Sequence, residues 1–365
     1  MRKAILSCLI PAALVLGASG AECVVRYYIL ELPSLKSSVS DASLPGIAKP
    51  RRTGPMSGGS PEPDASVVYD MACGVSETGV IAGRSGATIV TWGLSGEEPK
   101  SRYKPPKEQV ADVTATNGTG VMCGRIADIE TGRTKAIVVD ETGKLTDLGD
   151  IGGRHADARG INDSGAVIGS AFTKEGESKA FLWKPKGSMQ ALALLSGFTR
   201  SGAHDINTAG QIVGFCGPSA VIWEADGSVK ELSMPKDHNR CVAYAVNSKG
   251  QVAGEATDAQ NKTRAFFWDP QKGTAVQMES APGYEESRAE DLNDKGHIVG
   301  WVRSSQNETR AAMWNTEGKL ADLGQLSKDV DSQAFGINNA GFIVGVTKSR
   351  DGKTQHAVVW TPKNE

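Results

Sequence analysis

The sequence lacks most of the features that announce a function. Forty Lys and Arg nearly balance 42 Asp and Glu, giving a formal net charge of −2 and a pI near 6.3. That balance excludes a polyanion-seeking surface, so no nucleic-acid partner is expected. Beyond the first 21 residues no stretch approaches the ~20 apolar residues of a membrane span. The five histidines, His155, His204, His238, His297 and His356, are widely spaced. There is no Cys-x-x-Cys, no His-Glu-x-x-His, no Gly-x-Ser-x-Gly elbow and no phosphate-cradling glycine loop. No metal and no cofactor are therefore expected. Aromatics make up only 6% of the chain. Glycine, by contrast, is in excess: 43 residues, about 12%, against roughly 7% in average proteins.

The first residues read as an address. Met1-Arg2-Lys3 is basic, residues 4–17 are apolar, and Ser19-Gly20-Ala21 offers small residues for cleavage. Residues 1–21 thus have the pattern of a secretory signal peptide, which predicts a secreted or periplasmic protein. Export permits disulfides. Cys8 leaves with the signal, and Cys23, Cys73, Cys123, Cys216 and Cys241 remain, so at least one thiol stays without an intramolecular partner. Cys216 and Cys241 are the expected pair, closing a loop of ~25 residues with a chain-entropy gain of about 3 kcal/mol.

The glycine excess has a period. Asn, two turn residues, Gly, two or three apolar residues and Gly recur, as in Asn162-Asp-Ser-Gly165-Ala-Val-Ile-Gly169 and Asn293-Asp-Lys-Gly296-His-Ile-Val-Gly300. Seven units start at Ser76, Asn117, Asn162, Asn207, Asn247, Asn293 and Asn338, and their last glycines are spaced by 41, 45, 45, 40, 46 and 45 residues. Such a period means a repeat array. Asn bonds its own backbone and the first Gly supplies φ > 0, so each motif is a tight hairpin turn. A third strand ends in Trp92, Trp183, Trp223, Trp268, Trp314 or Trp360, and a short fourth follows, as in residues 144–148 and 319–323. Four short strands per ~45 residues make a propeller blade. The apolar setting of these tryptophans suits packing between blades.

The last unit lacks its fourth strand, while residues 24–32 look like a fourth strand with nothing before it. The expected fold is an all-β, seven-bladed β-propeller over residues 66–365, closed by an N-terminal strand in residues 22–35 that completes the last blade. Closure removes an exposed sheet edge. Residues 36–65, rich in Ser, Pro and Gly, read as a flexible linker. The Gly-Ile-Asn-Asp-x-Gly-x-Val-x-Gly run, the Ala-x-x-Trp strand and the Asp-Leu-Gly ending resemble the bacterial extracellular HAF-type repeats, most clearly in residues 156–169, 289–324 and 334–360. Ser76, Thr116 and Val139 depart from that pattern. The resemblance implies the fold and export, and adds little about a reaction.

Two columns vary inside the fixed template. Three residues before the Asn position stand Cys73, Thr114, Arg159, His204, Tyr244, Glu290 and Phe335. Of these, Arg159, His204, Tyr244 and Glu290 are the candidate ligand residues, expected at the channel mouth. Directly after the last Gly stand Arg84, Arg125, Ser170, Phe215, Glu255, Trp301 and Val346, of which Trp301 and Phe215 are candidate surface contacts. The expected function is an exported, non-catalytic binding or scaffold protein that takes a protein or glycan ligand at the channel mouth or loops. An alternative is a polysaccharide lyase or hydrolase with its site in the channel, and a third is a structural envelope or matrix protein.

Overall fold

The computed structural model describes residues 27–35 and 68–363, which form 28 strands, numbered here in chain order, and no helix. The expected signal segment, the expected linker and Cys23 lie outside the described residues. Blades one to six occupy residues 68–103, 109–147, 156–191, 201–231, 238–277 and 284–322, each four strands in sequence order. Blade seven has three strands from residues 329–362, and its fourth is β1 (Tyr27–Glu31), antiparallel to β28 (Thr354–Pro362). The chain is therefore the expected seven-bladed propeller. The first strands, β2 (Val68–Val75), β6 (Gln109–Thr116), β10 (Ala156–Ile161), β14 (Ser201–Ile206), β18 (His238–Val246), β22 (Tyr284–Leu292) and β26 (Asp329–Ile337), touch one another in order and surround the axis.

β1 reproduces a fourth strand in detail. Leu32 N donates to Ala357 O, as Leu148 does to Ala136, Leu232 to Ala220 and Leu323 to Ala311. Trp92 Nε1 donates to Pro33 O at 2.8 Å, just past β1. Trp223 and Trp314 make the same bond to Ala193 O and Glu279 O, just past the fourth strand of the preceding blade. The tryptophans pack between blades: Trp92, Trp223, Trp314 and Trp360 are buried and belong to four separate interblade cores.

The repeated motif is explained by two different glycine requirements. The first glycines, Gly79 to Gly341, have φ between 72° and 90°, the left-handed region their turns demand. The second glycines answer to a β-bulge. In every first strand the ladder skips one residue, for example between Ala158 and Gly160. The bend presses a carbonyl against the second strand. A Cβ on Gly83, Gly124, Gly169, Gly214, Gly254, Gly300 or Gly345 would stand 1.9–2.0 Å from that oxygen.

The asparagines do more than turn the chain. Each Oδ1 accepts from its own turn; in Asn162 it takes Ser164 N at 3.2 Å and Ala166 N at 3.1 Å. Each Nδ2 reaches the next blade and donates to the carbonyl of the corresponding residue. The bonds run Asn117 to Asn162, Asn162 to Asn207, Asn207 to Asn247, Asn247 to Asn293, Asn293 to Asn338 and Asn338 to Ser76, at 3.0–3.2 Å. Ser76 cannot reach onward as Asn does, and Thr78 Oγ1 bridges to Gly118 O at 3.0 Å instead. The belt is closed.

The expected Cys216–Cys241 disulfide is not formed. Both are buried free thiols. Cys216 packs in the core between blades three and four, and Cys241 in the core between blades four and five. The sheet of blade four separates them, because alternation along its second strand turns Cys216 away from blade five.

The Asn162→Asp variant keeps both turn acceptors but sets a carboxylate against the Asn207 carbonyl. It should lose about 1–3 kcal/mol, the cost of an unmet buried acceptor. Asn315→Asp is the control: Asn315 Oδ1 fixes an outer hairpin in the same way, accepting Glu317 N and Lys319 N, and does not span a belt. That substitution should change stability by less than about 0.5 kcal/mol. Urea unfolding of the two variants measures both.

Candidate functional site

The belt defines one end of the central channel. There the seven turns ring an open cavity of about 220 Å³. Its floor comes from the residues before the belt: Val75, Thr116, Ile161, Ile206, Val246, Leu292 and Ile337. Its rim comes from the residues after the belt: Glu77, Gly118, Asp163, Thr208, Ser248, Asp294 and Asn339. The repeat dictates this layering, since successive residues leaving a first strand present an apolar side chain, the fixed Asn, and a position the template leaves open.

The rim is itself cross-linked. Gly118 N donates to Asp163 Oδ1 at 2.7 Å, Ser248 N and Oγ donate to Asp294 Oδ1 at 2.9 and 2.7 Å, and Asn339 N donates to Glu77. Asn339 Nδ2 adds a bond to Asp294 Oδ2 at 2.9 Å. Desolvation opposes the charge on Asp294, but these donors outweigh it and hold its carboxyl below the ordinary aspartate value. Lys249 and Lys295 stand exposed one position further along their turns.

The cavity is not lined by Arg159, His204, Tyr244 or Glu290. These four are the bulge residues of their strands, and the bulge turns the column into the blade interfaces. His204 is buried, donates from Nδ1 to Ala243 O of the next blade at 2.9 Å, and stacks on Tyr244 with ring centroids 4.8 Å apart. Thr114 does the same in its blade, donating from Oγ1 to Ala158 O at 2.9 Å. Tyr244 donates its hydroxyl to Glu255 Oε1 at 2.9 Å, and Glu255 Oε2 accepts from Arg288 Nε at 2.6 Å. Arg288 lies against the Tyr244 and Trp301 rings, and Glu290 accepts from Trp301 Nε1 at 3.0 Å. Trp301, expected at the surface, is only 7% exposed. Phe215, half-buried, leans on His204 at 5.8 Å. Arg159 is half-buried in blade three. One buried cluster thus gathers His204, Tyr244, Glu290, Trp301 and Phe215, together with Glu255 and Arg288.

Arg288 is the residue that sequence reasoning missed. It sits directly opposite Trp301 in the ladder between first and second strands, in a column that also holds Met71, Asp112, Asp157, Gly202, Val242 and Gln333. Members of this column face the residue after the last Gly of the preceding blade. At five of the seven interfaces the contact is visible: Arg84 with Asp112 at 3.5 Å, Arg125 with Asp157 at 3.8 Å, Ser170 against Gly202, Glu255 with Arg288, and Val346 with Met71. At these five interfaces the two variable columns meet, as an Arg–Asp pair at the first two and as other combinations at the rest. Reading them together, offset by one unit, is the signal that would have exposed the arrangement.

No known family's sequence profile matches the chain, and no curated protein matches it. Solved structures do resemble it. A puromycin hydrolase mutant complexed with PGG has 13% identity and a TM-score of 0.54, covering 94% of this chain; the chain spans 58% of that protein's length. A chain of the Mitotic Checkpoint Complex has 14% identity and a TM-score of 0.51, over 97% of this chain and 99% of that one. The β-propeller domain of the Trilobed protease from Pyrococcus furiosus has 12% identity and a TM-score of 0.49, over 82% and 95%. At such identities the first two show the fold alone.

Burial drives the Tyr244 phenol well above its ordinary pKa and pushes Tyr27 up to about 12. A pKa raised on folding contributes stability that is whole below the unfolded value of about 10 and declines as pH rises past it. In an alkaline titration followed by tyrosinate absorbance, at least two of the six tyrosines should ionise only as the protein unfolds. Six tyrosines titrating together near pH 10 in the folded state would contradict the buried placement.

Proposed function

We propose that the chain is an exported, non-catalytic binding module of the HAF-repeat type, which engages a protein or glycan at the belt end of its channel. The observation that carries this reading is the mouth cavity: all seven blades contribute to it, and its rim is the one place where variable side chains stand on the cross-linked belt. A rigid scaffold presenting variable loop residues is the usual arrangement of a binding site. The side chains of His204, Tyr244 and Glu290 are buried and hydrogen-bonded, His204 to the next blade and the other two within their own, and no acid–base pair among them borders the cavity.

Thr208 is the place to test this. It is exposed on the rim, and a large ring there would cover the cavity. Wild type and the Thr208→Trp variant should be compared on a glycan array and by capture from an envelope extract. The expected result is a ligand retained by wild type and lost at least tenfold by the variant, with both proteins equally stable. Ligands that bind both proteins alike would move the site away from the mouth.

A further inference from the structure

We infer, resting on that reading, that the mouth takes a protruding protein segment in which an apolar residue lies beside a basic one. Size is the first argument. A well of about 220 Å³ falls below the roughly 300 Å³ at which pockets begin to enclose a whole small molecule. It suits one side chain better than a sugar ring chain. Its floor supports this choice: Val75, Ile161, Ile206, Val246, Leu292 and Ile337 are aliphatic, Thr116 adds a single hydroxyl, and an apolar side chain gains about 25 cal/mol for each Å² of apolar surface it buries there.

Charge is the second argument, and the rim is asymmetric. On blades five and six Asp294 has Lys295 next in sequence and Lys249 beside it on the preceding blade's turn, so the two signs offset one another. On blades one to three the rim has no cation: it reads Glu77, Gly118, Asp163, and the residues following them are Thr78, Thr119 and Ser164. Gly118 leaves a notch beside the Asp163 carboxylate, while the Glu77 carboxylate leans the other way onto Asn339 N. A Cβ there would stand 3.0 Å from Asp163 Oδ1, so the notch closes with any larger residue. Both Glu77 and Asp163 are exposed. An ammonium or guanidinium over Gly118 would meet the Asp163 carboxylate, with the Glu77 carboxylate further along the same cation-free arc over Asn339 N, while the adjacent apolar side chain fills the well. A ligand bearing carboxylates would meet only like charge on this side.

The test uses the folded exported chain and three fluorescent heptapeptides, each with a central leucine flanked by two lysines, two serines or two glutamates. Anisotropy at low salt should show the lysine peptide binding at least fivefold tighter than the glutamate peptide, with the advantage shrinking as salt screens it. The Glu77→Gln/Asp163→Asn double variant keeps the rim acceptors for Asn339 N and Gly118 N and removes only charge. It should bring the lysine and glutamate peptides to within twofold of each other. Thr208→Trp should abolish binding of all three. Equal or tighter binding of the glutamate peptide, or an undiminished preference in the double variant, overturns the inference. If all three peptides fail while a Thr208→Trp-sensitive glycan or protein is found, the basic–apolar partner is refuted and the mouth site stands. If no ligand at all responds to Thr208→Trp, both are refuted.

Discussion

The structure depends on one side chain used twice. Each belt asparagine folds its own turn through Oδ1 and fastens that turn to the next blade through Nδ2. A four-stranded blade of short strands has little stability alone, so the blades must be bound to one another to exist. Apolar packing between sheets supplies most of that binding but is not directional. The carboxamide is directional: it fixes the angle at which one turn meets the next, and repeats it around the ring. All six belt asparagines are between 1% and 7% exposed, so these bonds work in a water-poor layer where an unmet donor or acceptor costs about 1–3 kcal/mol. Aspartate would lack the donor, and serine is too short, as Ser76 shows by handing the bridge to Thr78.

Much of this architecture was legible in the residues. The period, the strand order within each unit and the displaced strand near Leu32 all followed from spacing and hydropathy, because a blade must bury both faces and a ring must close. The tryptophans, too, behave as their apolar contexts imply. Other features were hidden for a physical reason: they belong to contacts between units. Asn117 and Asn162 read as turn residues because only one of their two bonding groups acts locally. The second glycine of each motif read as a strand residue, when the bulge carbonyl facing it is what excludes a Cβ. Cys216 and Cys241 are near in sequence, but a sheet stands between them.

The candidate site was displaced by the same cause. Arg159, His204, Tyr244 and Glu290 vary freely among units, which suggested ligands. The bulge directs that column sideways into the interfaces, where His204 and Tyr244 stack and where Arg288 joins Glu255 and Glu290. Variation there has a structural use. Seven nearly identical blades could pack in the wrong order, and a pair found at one interface alone, such as Glu255–Arg288, distinguishes its neighbours. A buried ion pair adds little stability but penalises a mismatched partner. The variation that borders the cavity lies two positions beyond its floor, on the belt's outer rim. There, Glu77, Gly118 and Asp163 differ without disturbing either the turn or the bridge.

The claim that the carboxamide belt is the structural keystone is tested most directly by hydrogen exchange of the turns themselves. Peptides covering 117–121, 162–166, 207–211, 247–251, 293–297 and 338–342 should be compared with one covering 76–80 and with outer hairpins such as 315–319. The six asparagine turns should exchange only on global unfolding, with equal protection around the ring. The Ser76 turn should open sooner, and the outer hairpins sooner still. Asparagine turns that exchange as fast as the outer hairpins, while the strands stay protected, would contradict it.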